Sequence, residues 1–438
     1  MLQTAERRIM TEETILTDDR KILSGVRVID PVNRIEGLFD VAVEGGTVAS
    51  MEPASGNGSG LWLIPGVVDM HVHLRIPGGE NSETLETGLK AAVAGGVTRV
   101  GMMPNTTPAL DTPEAVSEVT ARGNSLGLAL IHPVPAVTMG RKGIECTDFE
   151  AFSSMGITCF SDDGSPVMND SSLAEAFKRL APLNGVVIEH PEVVELAAGG
   201  AVNLGEASNL TGAKGIPEEA EYRDVERCIR ILGESGTGCR LHLTHLSSPE
   251  SVRLVAQAAS EGLPVTCDVT PHHIALEETE LLRKGTLAKM NPPLRSEESR
   301  RKLVSMAASG MVSAVASDHA PHHRSKKDCL IQDAAFGITG LETLLPITVD
   351  KLVNGASMSL MEVVAMLTSA PASVLGITIP GITAGEPAEM VLFDPDEKWT
   401  FTDSLSLSGN SPFLNTELRG KVLSVWRGRE LYREGQFV

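Results

Sequence analysis

Eight apolar, β-rich runs alternate with longer helical stretches through the middle of this chain. They are "LIPGVVDMHVHL" (63–74), "GVTRVGMMPN" (96–105), "LALIHPVPAV" (128–137), "ITCFSDDG" (157–164), "GVVIEHPE" (185–192), "CRLHLTHLS" (239–247), "PVTCDVTP" (264–271) and "VSAVASDHAPH" (312–322). A strand that reads as an unbroken apolar run is buried on both faces, as in a parallel sheet. Parallel neighbours need a crossover, usually a helix. Eight such units predict an α/β protein built on a (β/α)₈ TIM-type barrel. One crossover, "SETLETGLKAAVAGG" (82–96), reads as a helix with Ser82 as its N-cap and glycines closing it.

The ends of the chain read differently. Short alternating segments, "TILTD", "VRVID" and "FDVAVEGGTVASM" near the start, "EMVLFDP" and "VLSVWRGRELYREG" near the finish, are broken by Gly, Asn and Pro. They predict a small β-sandwich domain built from both termini, residues 14–64 plus 375–438. The barrel then occupies 65–374, and residues 1–13 are expected to be a flexible extension.

The formal net charge of -20 excludes nucleic acid or an anionic membrane as the main partner, since both require a basic surface. Six scattered cysteines form no CxxC pair, so neither a disulfide framework nor a zinc knuckle is expected. No run of about 18 apolar residues and no signal-peptide core appears, which predicts a cytoplasmic protein.

The histidines carry the chemistry. Nearly all eleven fall at or just beyond the C-terminal ends of the apolar runs, the rim where a barrel builds its active site. His71 and His73 end the first run, Asp162 and Asp163 the fourth, His190 the fifth, His242 and His245 the sixth. His272 and His273 follow the seventh, and Asp318, His319, His322 and His323 end the eighth. Imidazole and carboxylate together are the ligand set of zinc and similar divalent ions. Residues two apart in a strand share a face, so His71 and His73 converge while Val72 packs away. His242 and His245 are three apart and face opposite sides, so only one of them is expected to be a ligand. Asp69 and His132 read as structural, "PHH" (271–273) as supporting rather than ligating, and "RSKKD" (324–328) as a solvated loop.

Together "PGVVDMHVHLR" (65–75), "MPNT" (103–106), "SDDG" (161–164), "TPHH" (270–273), "KMNPPLR" (289–295), "SDHAPH" (317–322), "FGITGLET" (336–343) and "NSPF" (410–413) resemble the dihydroorotase family of the amidohydrolase superfamily. The resemblance is to the bacterial class I type, in which an aspartate rather than a carboxylated lysine lies between two metal ions. It implies that His71, His73 and Asp318 hold one zinc ion and His190 and His245 a second. Asp163 would bridge them together with a hydroxide nucleophile. Arg75, Asn105, Asn291 and His322 would bind substrate, with Phe336 and Gly337 contacting its ring through backbone groups, and Asp318 would be the general acid/base. The implied activity is reversible, zinc-dependent opening of the cyclic amide of dihydroorotate to N-carbamoyl-aspartate, in pyrimidine biosynthesis. A homodimer and association with aspartate transcarbamoylase are further implications. The sequence departs from the family pattern at "IEHPE" (188–192), at Ile76 after "HLR", and in the loop 323–335.

The chemistry of the substrate fits these residues. An amide is a poor electrophile, and a divalent ion makes hydroxide available near neutral pH. A guanidinium pairs bidentately with the substrate's carboxylate, which gives Arg75 a role. The rivals are a dihydropyrimidinase, hydantoinase or allantoinase, whose substrates lack that carboxylate, and a non-catalytic scaffold, whose expected mark is loss of ligands.

Overall fold

The structure is a computed structural model and describes residues 20–438. The extension expected at 1–13 and the strand expected at 14–18 lie outside the described residues.

All eight apolar runs contain a parallel strand: β1 (Val67–Val72), β2 (Val97–Met102), β3 (Leu130–Pro133), β4 (Cys159–Ser161), β5 (Val186–Glu189), β6 (Arg240–Leu243), β7 (Val265–Val269) and β8 (Ala314–Val315). Each pairs with its neighbour in the chain, in two sheets: β1–β2–β3 and β4–β5–β6–β7–β8. Backbone contacts link both seams. The Ser161 N–H donates to the Pro135 carbonyl at 2.9 Å, and the His73 N–H donates to the His319 carbonyl at 2.9 Å. Val72, Val100, Ile131, Phe160, Val187, Leu241, Val269 and Val315 are buried in one apolar cluster, as strands covered on both faces require.

The first run serves two sheets. Trp62–Pro65 belongs to a sheet of strands from both chain ends, and β1 starts after Gly66. A Cβ at Gly66 would fall 2.2 Å from Thr98 Oγ1, so only glycine allows this close passage. The terminal strands form one eight-stranded sheet, antiparallel except where Arg20–Asp30 runs parallel to Trp62–Pro65. Its strand Thr47–Pro53 returns towards the start of Glu389–Phe401, because Val48 N–H donates to the Glu386 carbonyl and Ala388 N–H to that of Gly46. Val28, Val41, Leu63, Met390 and Trp426 share one core, so both chain ends contribute to it. Glu389 ties this sheet to β2, accepting from Arg99 Nε at 2.6 Å and Nη2 at 2.8 Å, and from Thr98 Oγ1 at 2.8 Å.

Two details differ from expectation. The first helix spans Leu85–Ala94, and its N-cap is Thr84, not Ser82. Thr84 and Thr87 bond reciprocally across the first turn, while the Ser82 N–H closes a turn onto the Gly79 carbonyl. Between β5 and β6 an unexpected pair of two-residue strands, Val202–Asn203 and Gly215–Ile216, precedes the helix Glu219–Ser235. All six cysteines are free thiols. No helix among the described residues is long and apolar enough to cross a membrane.

Candidate active site

The polar residues at the strand ends meet in one place. Asp163, just beyond β4, lies at the centre. Its Oδ1 is 3.1 Å from His71 Nε2, 3.7 Å from His245 Nε2 and 3.8 Å from His190 Nδ1, and its Oδ2 is 3.6 Å from His73 Nε2. Asp318 approaches from the opposite seam, with Oδ1 at 3.1 Å from His73 Nε2 and 3.7 Å from His71 Nε2. His190 Nδ1 and His245 Nε2 face each other at 3.0 Å. Two groups of side chains able to hold a metal ion result, His71/His73/Asp163 and Asp163/His190/His245, joined through one carboxylate. The six residues expected to be ligands are therefore neighbours, and all are buried.

The backbone is left-handed at Arg75 (φ 59), His245 (φ 41) and Asp318 (φ 46). Each such residue costs about 1–2 kcal/mol unless its surroundings hold it. For His245 the hold is visible. Its N–H donates to Asp268 Oδ1 at 2.9 Å. Asp268 Oδ2 also accepts from Thr244 Oγ1 and lies against His242 Nε2, each at 2.8 Å, and Thr244 Oγ1 is 2.9 Å from His71 Nδ1. One carboxylate from β7 thus orients His71 through a threonine and fixes the turn that presents His245. His242 faces away from the cage, onto Asp268 and Thr266.

Burial and neighbouring charge decide the protonation states. Burial alone would raise the carboxyl of Asp163, but His71, His245 and His73 override it and hold the group well below the carboxylate range. Asp318 behaves likewise: burial opposes ionisation, and His73 and His71 overcome it. Burial lowers the imidazoles of His73 and His190, the latter also through His245. Burial would lower His71 too, yet Asp163 and then Asp318 lift it to about 9. His71 Nε2, His245 Nδ1 and Asp163 Oδ1 are buried without a hydrogen-bond partner. Two ionised carboxylates among four converging imidazoles form a donor set that suits a divalent cation, which would take the place of the proton that Asp163 and Asp318 favour on His71, so the residues fit a metal centre.

Beside the cage is a cavity of about 220 Å³ lined by Arg75, Asn105, Asn291, His322, Phe336 and Gly337, with His73, Asp163, His190, His245 and Asp318 forming the wall nearest the cage. Asn105 Oδ1 is 2.7 Å from His73 Nδ1, and its Nδ2 donates to Asp163 Oδ2 at 3.2 Å. Asn291 Nδ2 donates to Glu192 Oε2 at 2.8 Å. His322 Nε2 is 2.6 Å from the Phe336 carbonyl, so that nitrogen carries the proton and donates. Arg75 Nη2, 3.3 Å from the same nitrogen, therefore meets a donor and keeps its own N–H groups for another acceptor. Arg75 Nε is held by the Pro321 carbonyl at 3.1 Å. Burial, and after it the Arg75 charge, pushes His322 down to about 3, so it is neutral. The Gly337 N–H is already bonded to the Lys289 carbonyl at 3.1 Å, so that donor is occupied.

Of the remaining residues, Lys327 takes a different place from the one read in the sequence. Lys327 is not solvated: it is buried, and its Nζ donates to the carbonyls of Thr286 (3.1 Å), Lys289 (2.9 Å) and Ala335 (2.7 Å). Three ammonium donors meet three carbonyls, which pins the loop 323–335. Asp69 is structural, accepting from the His71 and Ser317 N–H groups. His273 lies between Thr270 and the Pro292 carbonyl. Asp162 receives the Thr138 N–H and hydroxyl, and burial raises it to about 6. Asp268, Glu192, Asn410 and Arg141, which donates to the Asp163 carbonyl at 2.6 Å, were not assigned roles from sequence. An aspartate inside the apolar run "PVTCDVTP" was the available signal for Asp268. In a third buried group, Glu189, Asp224 and Cys228, burial and then the Asp224 charge push Glu189 and Cys228 up towards their neutral forms, and Arg227 Nε lies 2.5 Å from Asp224.

The family described as dihydro-orotase-like matches residues 60–251. A dihydroorotase of Anaplasma phagocytophilum (strain HZ) is 42% identical over 400 residues, covering 91% of this chain and 88% of its own. A dihydroorotase of Aquifex aeolicus (strain VF5) is 36% identical over 417 residues, covering 93% and 98%. Among solved structures, an L-hydantoinase (dihydropyrimidinase) from Arthrobacter aurescens superposes with a TM-score of 0.82 at 25% identity, covering 95% of this chain and 97% of its own. That likeness bears on the fold.

Proposed function

The chain belongs to the dihydroorotase family of cyclic amide hydrolases, and from that premise we propose that its buried cage and the adjoining cavity together open the ring of dihydroorotate to N-carbamoyl-aspartate and close it again. The observation that carries this reading is a single carboxylate, Asp163, within 3.8 Å of four imidazoles beside a cavity that Arg75 enters.

In this reading His71, His73 and Asp318 would hold one zinc ion and His190 and His245 a second, with Asp163 common to the two groups of ligands. Such ions would supply acidified water and a polarised carbonyl. The protein's own groups do the rest. Arg75 and Asn105 take the substrate's carboxylate, a pairing strengthened by the half-buried setting of Arg75. Asn291, His322 and backbone groups of Phe336 and Gly337 hold the ring. Asp318, ionised, accepts the proton of the attacking water and passes it to the ring nitrogen as the carbon–nitrogen bond breaks. In the reverse direction the same carboxylate accepts the nitrogen's proton as the ring closes and water leaves.

The same proposal includes the architecture. The two parallel sheets make one closed (β/α)₈ barrel over residues 65–374, and the described residues 20–64 with 375–438 make the β-sandwich domain. It further includes a cytoplasmic homodimer able to associate with aspartate transcarbamoylase, which sedimentation measurements with and without that enzyme can test.

Ring opening by purified, metal-loaded protein tests the activity. Dihydroorotate should be turned over in strong preference to hydantoin and allantoin, which have no carboxylate for Arg75. Preference for either neutral ring would contradict the proposal.

A further inference from the structure

The stretch "SLSLSGN" (404–410), between the strands Glu389–Phe401 and Thr416–Arg427, has its polarity reversed. Ser406, Ser408 and Asn410 are buried, whereas Leu405 and Leu407 are exposed. Buried polar groups need partners, and these find them on the loops that follow β1 and β8. The Ser406 hydroxyl donates to Glu83 Oε2, the Leu407 N–H to Glu83 Oε1 at 3.0 Å, and the Ser408 hydroxyl to the Ser82 carbonyl at 2.6 Å. Asn410 goes furthest. Its Nδ2 donates to the carbonyls of Ala320 and Gly337, each at 3.1 Å, and its Oδ1 accepts the His322 N–H at 3.0 Å. Its own carbonyl accepts the Thr339 N–H at 3.1 Å.

We propose that residues 404–410 form a strap across the rim and that Asn410 is a positioning residue, setting the distance between His322 and Gly337. The inference rests on the reading of those two residues as substrate contacts. No side chain of the metal cage bonds to Asn410, so its effect falls on substrate grip. An amide suits this place because it offers two donors and an acceptor to three backbone atoms of two loop segments. A carboxylate of the same shape would face two carbonyl oxygens without a proton to give.

The test is steady-state kinetics on dihydroorotate with Asn410→Ala and Asn410→Asp, alongside metal content by elemental analysis. KM should rise about ten-fold or more in both, the scale set by unpaired buried groups, while kcat stays within about two-fold and metal content matches wild type. Unchanged KM in a folded variant, or kcat and metal content falling together with it, would overturn the strap. If both Asn410 variants fail to fold, Ser408→Ala decides. It removes one bond of the strap, so a raised KM with unchanged kcat supports the inference and an unmoved KM overturns it. Wild-type protein that cannot open dihydroorotate overturns the substrate reading and the strap with it. Active wild type with an indifferent Asn410 overturns the strap alone.

Discussion

Asp268 shows how much of this site is decided by a residue that does not line the cavity. It accepts from Thr244, from the His245 N–H and at His242, so it orients imidazoles proposed for both metal positions. Asparagine keeps the shape but loses one acceptor, leaving buried donors unpaired. Asp268→Asn should weaken metal binding by about 10–100-fold, the usual scale for groups that orient ligands. Competition with a chelator measures this, and an unchanged affinity would remove Asp268 from that role. A different residue reports on pH. Burial, and then the Arg99 charge, pushes His132 down to about 4 from 6.5. The unfolded chain therefore binds a proton that the folded chain refuses between those values. Stability from this group rises with pH across the window and is lost on acidification. His132→Gln removes the group, so the stability lost between pH 7 and pH 5 should shrink by about 1–2 kcal/mol. Denaturant unfolding at the two pH values checks the difference.

At the scale of elements, the eight strands were legible because burial on both faces leaves an unbroken apolar run. The site was legible for a related reason: the ligand-type residues of the cage fall at the C-terminal ends of those runs. Contacts between distant segments were not legible. Ser82 and Thr84 are equally good caps by type, and only the turn onto Gly79 excludes Ser82. Lys327 looks like its solvated neighbours until Thr286, Lys289 and Ala335 surround it. Asn410 has partners some 70 to 90 residues away in the chain. The two-residue strands after β5 have no pattern of their own. Lys327→Met keeps the bulk of the side chain but abandons three carbonyls. Amide exchange across residues 323–335 should accelerate, with about 1–3 kcal/mol lost from overall stability. Exchange at the wild-type rate would mean that the loop is held by other contacts.

Across the whole molecule, both ends of the chain serve a centre built by its middle. The terminal sheet clamps β2 through Glu389, and the segment preceding its strand Thr416–Arg427 reaches over the rim. The acidic surface implied by the net charge of -20 leaves attraction for an anionic substrate to local groups, foremost Arg75. The account depends on side chains from β1, β4, β5, β6 and β8 acting as one cation-binding centre. Its most direct test is a titration of metal-stripped protein with Zn²⁺, following bound metal and dihydroorotate turnover together. Turnover should appear only as metal binds and level off at two ions per chain, with Asp163→Ala abolishing the response. Full turnover by metal-free protein, or an Asp163→Ala variant that binds metal and works like wild type, would contradict it.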